Sequence, residues 1–397
     1  MHHAALAGYR ILDLTEGIAG PYCTKLMAGF GAEVIKIERP GQGDPTRRLG
    51  PFFHDDPHPE KSGLFLYLNT GKKGITLSLA SAAGQRLLLD LVRQADAVIE
   101  SFPPGELQER GLAYPALAEV NPRLVMTSIT PFGQTGPYRD YRASEIILGA
   151  LSGLLYITGE PDRAPLKTGG AINQYAAGQT AYVATLAALV HQTVAGEGQY
   201  VDVAMVEANV DNLENWVMGP YQGKKMLRLG KRHQAGYPSE VYPCKDGYVA
   251  VNASPADWSA LAELMEEPRL NDPRYADRAT RSQYRDEIDA LMQPWLAAHT
   301  KVEIYHAAQA RRLAFGYVAT TEDVVRAPQL AARDFFVTVD HPATGEVRYP
   351  GLPFRLSETP GEVRRAPLLG EHNPEIYGQL LQLPHETLAR LRNQGVI

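Results

Sequence analysis

One order of elements recurs along this chain. Tyr9 to Leu14 (YRILDL) is a short apolar run, and Glu16 to Pro21 reads as a turn. Tyr22 to Phe30 carries apolar residues at helical spacing, and Ala32 to Ile37 (AEVIKI) is a second strand. The unit returns as the strand Gly74 to Leu77, the amphipathic helix Ala80 to Gln94, and the strands Ala97 to Glu100 and Leu124 to Ile129. Ala176 to Ala195 reads as a buried helix ahead of a strand at Gln199 to Ala204. Strands alternating with helices predict a parallel, doubly wound sheet, so the fold class is α/β.

From Gly223 the texture changes. Gly223 to Arg232 is basic and loop-like; one strand pair and several charged helices follow to about Ala310. After Asp334 strand and turn signals return, with Pro350, Pro353, Pro360 and Pro367 spaced through an extended segment. The expected organisation is a large domain over 1–222, a smaller inserted α+β domain over 223–330, and a return segment over 331–397 that completes the large domain. With 397 residues and roughly 150 per domain, the length suits this division.

Charge and motifs exclude several classes. The formal net charge is −6, with 39 Lys and Arg against 45 Asp and Glu, so no global basic field points to nucleic acid or an anionic membrane. The start lacks a basic segment followed by an apolar one, and no run of roughly 18 apolar residues occurs; the expectation is a soluble, cytoplasmic protein. Cys23 and Cys244 form no C-x-x-C or zinc spacing, so neither a disulfide framework nor a metal is expected. Gly41-Gln42-Gly43 begins like a dinucleotide fingerprint, but the third glycine is missing and Pro45 stands where a helix should begin. Walker A, H-E-x-x-H and G-x-S-x-G motifs do not occur.

Seven stretches, in order, carry a resemblance. They are Arg10 to Thr15 with Ala19-Gly20-Pro21; Gly31 to Pro40 with Gly43-Asp44; Asn69 to Gly74; Asn121 to Val125; Phe132 to Pro137; Gly196 to Val203; and Pro367 to His372. Together they resemble the class III CoA-transferase family, which includes formyl-CoA transferases, carnitine CoA-transferases and 2-methylacyl-CoA racemases. The resemblance implies a Rossmann-like large domain made from both chain ends, a smaller domain between, and two subunits threaded into an interlocked dimer. It also implies coenzyme A as substrate or product, with an acyl-CoA and a small carboxylic acid as partners. The phosphates of CoA need Arg or Lys donors and approachable backbone N–H groups. Arg39 and the turn Asn69, Thr70, Gly71, Lys72 and Lys73 match positions that hold CoA in the family, and Arg142 falls where the family often places another cation. At a further arginine position the chain carries Glu109, with Arg110 beside it. The plain alternative is that these cations are solvated surface charges.

The chemistry departs from the resemblance. In the transferases an aspartate four residues before a helix glycine attacks the thioester, and counting back from Gly178 that position is Gln174. An amide is a poor nucleophile and a poor base. Three carboxylates could replace it: Glu145, where the family commonly has an acid, or else a structural acid paired with Arg142 or Arg163; Glu16, in the first β-α turn; and Asp202, where a structural hydrogen bond is the simpler reading. Racemase chemistry is disfavoured, because Ser144 stands at its histidine and Gln174 at its aspartate. The leading reading is an acyl-CoA:carboxylate CoA-transferase or a subunit of one, as homodimer or heteromer. The alternatives are a non-catalytic CoA-binding subunit paired with an aspartate-bearing homologue, and an acyl-CoA isomerase or lyase of altered chemistry in which Gln174 polarises the thioester carbonyl.

Overall fold

The strand-forming runs assemble into one sheet of six: β1 (Arg10–Leu14), β2 (Glu33–Glu38), β3 (Lys73–Thr76), β4 (Ala97–Glu100), β5 (Val125–Thr130) and β6 (Tyr200–Ala204). Their order is β3-β2-β1-β4-β5-β6, and every pairing is parallel. The computed structural model describes residues 4–213, 218–223, 227–231 and 237–397; residues 224–226 and 232 of the basic loop lie outside them. Helices join the strands: α1 (Ala19–Gly29), α2 (Gly63–Leu68), α3 (Ala82–Val92), α4 (Glu106–Glu109), α5 (Tyr114–Val120), α6 (Glu145–Leu151), α7 (Ile172–Ala195) and, after β6, α8 (Met205–Asp211). No described helix is long and apolar enough to cross a membrane.

Both faces of a parallel sheet are covered, so successive strand residues feed two cores. Leu12, Ile35, Ile37, Val98 and Met126 pack on one side with α3 and with Ile376, Tyr377 and Ile397. Ile11, Val34, Ile99, Val125 and Ile129 pack on the other with α1 and α7. Those two helices come close at Gly178, where an added Cβ would lie 2.5 Å from the Ala19 carbonyl oxygen.

Two compact units are present: residues up to Leu154 with Lys167–Gln222 and Ala331–Ile397, and Leu155–Leu166 with Gly223–Leu330. Both chain ends build the first unit. Its edge strand β3 is sealed by residues from the far end of the sequence: the His372 N–H donates to the Gly74 carbonyl at 2.9 Å, the Thr76 N–H to Asn373 Oδ1 at 2.9 Å, and the Tyr377 hydroxyl to the Thr76 carbonyl at 2.8 Å. The second unit is α+β. Its antiparallel sheet, β7 (Ser239–Cys244), β8 (Gly247–Asn252) and β9 (Gly316–Tyr317), shares a core with Trp258, Leu261, Ile288, Met292 and Ile304.

One position in β1 breaks the apolar pattern. Asp13 is fully buried. Its Oδ2 accepts from Lys72 Nζ at 2.9 Å and Thr24 Oγ1 at 2.7 Å, and its Oδ1 from the Thr15 N–H at 3.0 Å and hydroxyl at 2.5 Å. On the neighbouring strand, buried Lys36 donates to the Thr15 carbonyl and, at 2.9 Å, to Asp44. Burial would raise the Asp13 acid, but Lys36, Lys72 and the Thr15 hydroxyl hold it well below the usual carboxylate range. A second buried pair lies past β2: Arg47 grips Glu38 at 2.7 and 2.8 Å and Glu60 at 2.6 Å, with its guanidinium 3.6 Å from the Phe65 ring centroid.

Removing one partner of a buried ion pair leaves the other charge uncompensated, which costs about 3–5 kcal/mol. Lys72→Met should lower the urea midpoint by that amount of stability. Asp13→Asn combined with Lys72→Met should cost less than the sum of the single changes; additive losses would show that the two groups do not act as a pair.

Candidate active site

The strand order reverses between β1 and β4, and open α/β sheets bind ligands past the carboxyl ends of their strands at such a point. A cavity of about 300 Å³ lies there. Leu14, Ile37, Leu77 and Phe102 give it apolar walls, and Arg39 and Arg110 bring cations. Arg39 follows β2; its Nε is 3.2 Å from Glu16 Oε1 and its side chain is 57% exposed. Arg110, just past α4, pairs with Glu106 at 2.9 Å. Burial raises the Glu16 acid despite the pull of Arg39. The turn Ser78 to Ala80, also in the lining, leads into the amino end of α3, which favours negative charge. The cleft suits a ligand that joins phosphate groups to an apolar body.

Arg39 is thus in the cleft, as is Arg110, whereas Glu109 is not in its lining. The segment Leu77 to Ala80 and Phe102 were missed in the sequence. The available signal was strand direction: these residues follow the carboxyl ends of β3 and β4.

The turn from Asn69 to Lys73 is not in this lining, contrary to expectation. It precedes β3 and so sits at the amino end of that strand. Lys72 is buried, its ammonium held by Asp13, by the Pro21 carbonyl at 2.9 Å and by Asn69 Oδ1 at 2.8 Å. Asn69 also donates to the Phe65 carbonyl at 3.0 Å, and Thr70 is buried beside it. Gly71 takes a φ of 77°, and its N–H donates to the Arg365 carbonyl. Lys73 bridges Glu33 and Glu375 at 2.5 and 2.7 Å. The cations of this turn are committed to carboxylates, which is a structural use of a polar, glycine-containing motif.

Glu145 and Gln174 do meet. Glu145 opens α6, and Gln174 is the third residue of α7. Glu145 Oε1 accepts from the Asn173 N–H at 2.9 Å and its Nδ2 at 2.7 Å; Oε2 accepts from the Gln174 N–H and its Nε2, both at 3.3 Å. α7 has no side-chain cap of its own. Glu145 takes that role, placing a carboxylate against free N–H groups and the positive end of a 24-residue helix. The expected pairing of Glu145 with Arg142 or Arg163 does not form among the described residues; Arg142 is exposed, three positions before it.

Asn173 is fully buried, and its carbonyl accepts from Asn209 Nδ2 on α8 at 3.1 Å. Sequence reasoning passed over it, although its place at the start of a long helix beside Gln174 was a usable sign. Tyr175 packs edge-on against Tyr22 and Tyr67, with centroids 4.9 and 6.5 Å apart. The Lys25 ammonium stands 3.2 Å from the Tyr67 ring centroid, and burial together with nearby Lys72 pulls it down to about 7. Asp202 accepts the Gln134 N–H at 2.9 Å, a structural bond.

The sequence profile of CoA-transferase family III matches residues 6–373. The chain is 35% identical to a formyl-CoA:oxalate CoA-transferase of Streptomyces avermitilis over 99% of each chain. It is also 35% identical to the BbsE subunit of a succinyl-CoA:(R)-benzylsuccinate CoA-transferase of Thauera aromatica, over 93% of this chain and 92% of that one. A solved CAIB/BAIF family protein from Brucella suis has a TM-score of 0.87 at 30% identity, over 95% of this chain and 100% of that one. By a match that runs through both ends of the sheet and through the Glu145–Gln174 contact, the chain belongs to CoA-transferase family III.

Proposed function

We propose that this chain binds a CoA thioester in the cleft at the strand reversal and takes part in moving CoA from an acyl-CoA to a small carboxylic acid, as one subunit of a transferase whose attacking carboxylate stands on a homologous partner. The observation that carries this reading is the Glu145–Gln174 contact. Opening a thioester needs a carboxylate oxygen that can form a C–O bond as the C–S bond breaks and the thiolate leaves. Gln174 offers an amide, and both oxygens of Glu145 already accept hydrogen bonds from Asn173 and Gln174. Arg39 and Arg110 would meet phosphate charge in the cleft, with Arg142 as a further cation.

A second reading rests on the same contact. Glu145 is the carboxylate that touches the Gln174 side chain, and if an arriving substrate drew those donors away it would become the nucleophile within a homodimer. Detection of a covalent adduct separates the two.

Assembly has support of its own. α7 exposes Ile172, Val183, Val190 and Val194, by 52, 64, 62 and 83%; at 3.6 residues per turn these spacings make one stripe. Ile146, Ile147 and Leu151 of α6 are exposed as well. Apolar side chains in such numbers on one element mark an interaction surface, and the occupant proposed is a second subunit of this fold.

Three outcomes are expected. CoA should bind the purified protein in calorimetry, and Arg39→Ala should weaken it about tenfold to a hundredfold, the loss of one charge-assisted phosphate contact of about 1.5–3 kcal/mol; unchanged affinity would place CoA elsewhere. Turnover by the chain assembled only with itself should be very slow, and borohydride or hydroxylamine trapping with mass spectrometry should find no adduct, whereas Gln174→Asp should gain an aspartyl-CoA adduct. An adduct on Glu145 in the wild type would favour the second reading instead. Val190→Glu with Val194→Glu should shift the protein toward monomer in sedimentation velocity; an unchanged distribution would exclude this stripe from the interface.

A further inference from the structure

A second cavity, of about 310 Å³, opens between α4, α5 and the strands β5 and β6. It shares no lining residue with the cleft. Its β5 residue Met126 belongs to the core opposite the one that α7 covers, so it lies across the sheet from Glu145 and Gln174. Leu107, Pro115 and Met126 give it an apolar wall, and Glu100, Ser128 and Tyr200 give it a polar one.

Glu100 ends β4 and is 3% exposed. Its Oε2 accepts the Phe102 N–H at 2.7 Å, and Ser128 on the neighbouring strand lines the cavity beside it. The Tyr200 hydroxyl donates to Ser128 Oγ at 2.9 Å, so residues of three adjacent strands make the polar wall around Glu100. Arg139 also lines the cavity, near the amino end of α4, with its side chain 43% exposed. Its Nε is 3.1 Å from Asp140, which is 71% exposed, a weak surface pair that a better anion can displace. The other acids near Glu100 are occupied: Glu106 of α4 pairs with Arg110, and Asp202 of β6 accepts the Gln134 N–H.

We propose that this cavity is a second small-molecule site, separate from the CoA cleft, which binds the carboxylate of a short organic acid between the Arg139 guanidinium and the Glu100 carboxyl. Arg139 supplies the charge, and the apolar wall takes the body of the acid. A carboxyl facing a carboxylate is favourable only when one proton lies between them. Burial supplies that condition by pushing Glu100 up to about 7; Ser128 and the Phe102 N–H pull it down, while Asp202 and Glu106 push it further up. Ser128 on β5, Asp202 on β6 and Glu106 on α4 act on the Glu100 carboxyl, while Tyr114 on α5, Tyr200 on β6 and Arg139 after β5 line the same cavity, Arg139 being the cation of that lining. The bound state holds the proton, so affinity strengthens as pH falls through about 7 and weakens above it, approaching tenfold per pH unit on the alkaline side.

The test is calorimetry on the full chain with succinate and with benzoate at pH 6 and pH 8.5. Expected are tighter binding at pH 6 and uptake of close to one proton at pH 8.5. Glu100→Gln keeps an N–H donor and should bind with no pH slope, and Arg139→Ala should weaken binding tenfold or more. Saturating CoA should leave the acid affinity unchanged, as should Arg39→Ala. The proposal is overturned if neither acid binds, if CoA displaces the acid, or if the pH slope survives Glu100→Gln. Acid binding by a protein that does not bind CoA would instead overturn the function proposed above and leave this site standing.

Discussion

The buried pair of Asp13 and Lys72 ties together segments that lie far apart in the sequence. Asp13 belongs to β1, Lys72 to the turn before β3, Thr24 to α1, and all three converge on one carboxylate. Lys36 extends the same network through the Thr15 carbonyl to Asp44, beyond β2. A buried charge is tolerated only with its partners in place, so the network specifies how the first three strands and their turns are registered. The mouth of the cleft inherits that geometry, because Leu14, Arg39 and Leu77 follow from strands held this way.

The same network explains why the fold was legible in the sequence and the lining of the cleft less so. Apolar runs alternating with helical periods gave all six strands of the parallel sheet to within a residue or two, because a sheet buried on both faces leaves few other patterns. A motif such as Asn69 to Lys73 is a different problem. Its glycine and lysines look alike whether they cradle a phosphate or neutralise a buried aspartate, and what separates the cases is which end of β3 the turn occupies. The place of Arg39 in the cleft lining was legible because it follows a strand. Leu77 to Ala80 follow one as well, but carry no charge to draw the eye. At the other centre, Gln174 and Glu145 were both identified, while the bond between them, and Asn173 as its third member, depend on the approach of α6 to the start of α7, which no local pattern encodes.

Chemically, that contact stabilises a helix at a place where an attacking group would stand. A carboxylate that accepts four hydrogen bonds from one helix end is well solvated by protein, and an amide beside it adds a donor without adding a nucleophile. Such an arrangement holds a carboxylate and an amide side by side at a helix end without a free carboxylate oxygen. Apolar side chains are exposed along α6 and α7 on the same unit, which is the observation behind the subunit proposed to cover them.

The sealing of β3 sets an order of events in synthesis. Thr76 and its partner Asn373 are 297 positions apart, and at roughly 5–20 residues per second the edge of β3 stays open on the ribosome for roughly 15–60 s. During that interval a row of unpaired N–H and C=O groups faces solvent or whatever protein is near, the condition under which strands find wrong partners. The short length of β3, four residues, limits the exposure. The last seam of this sheet is thus closed only after residues 372 to 377 have been made.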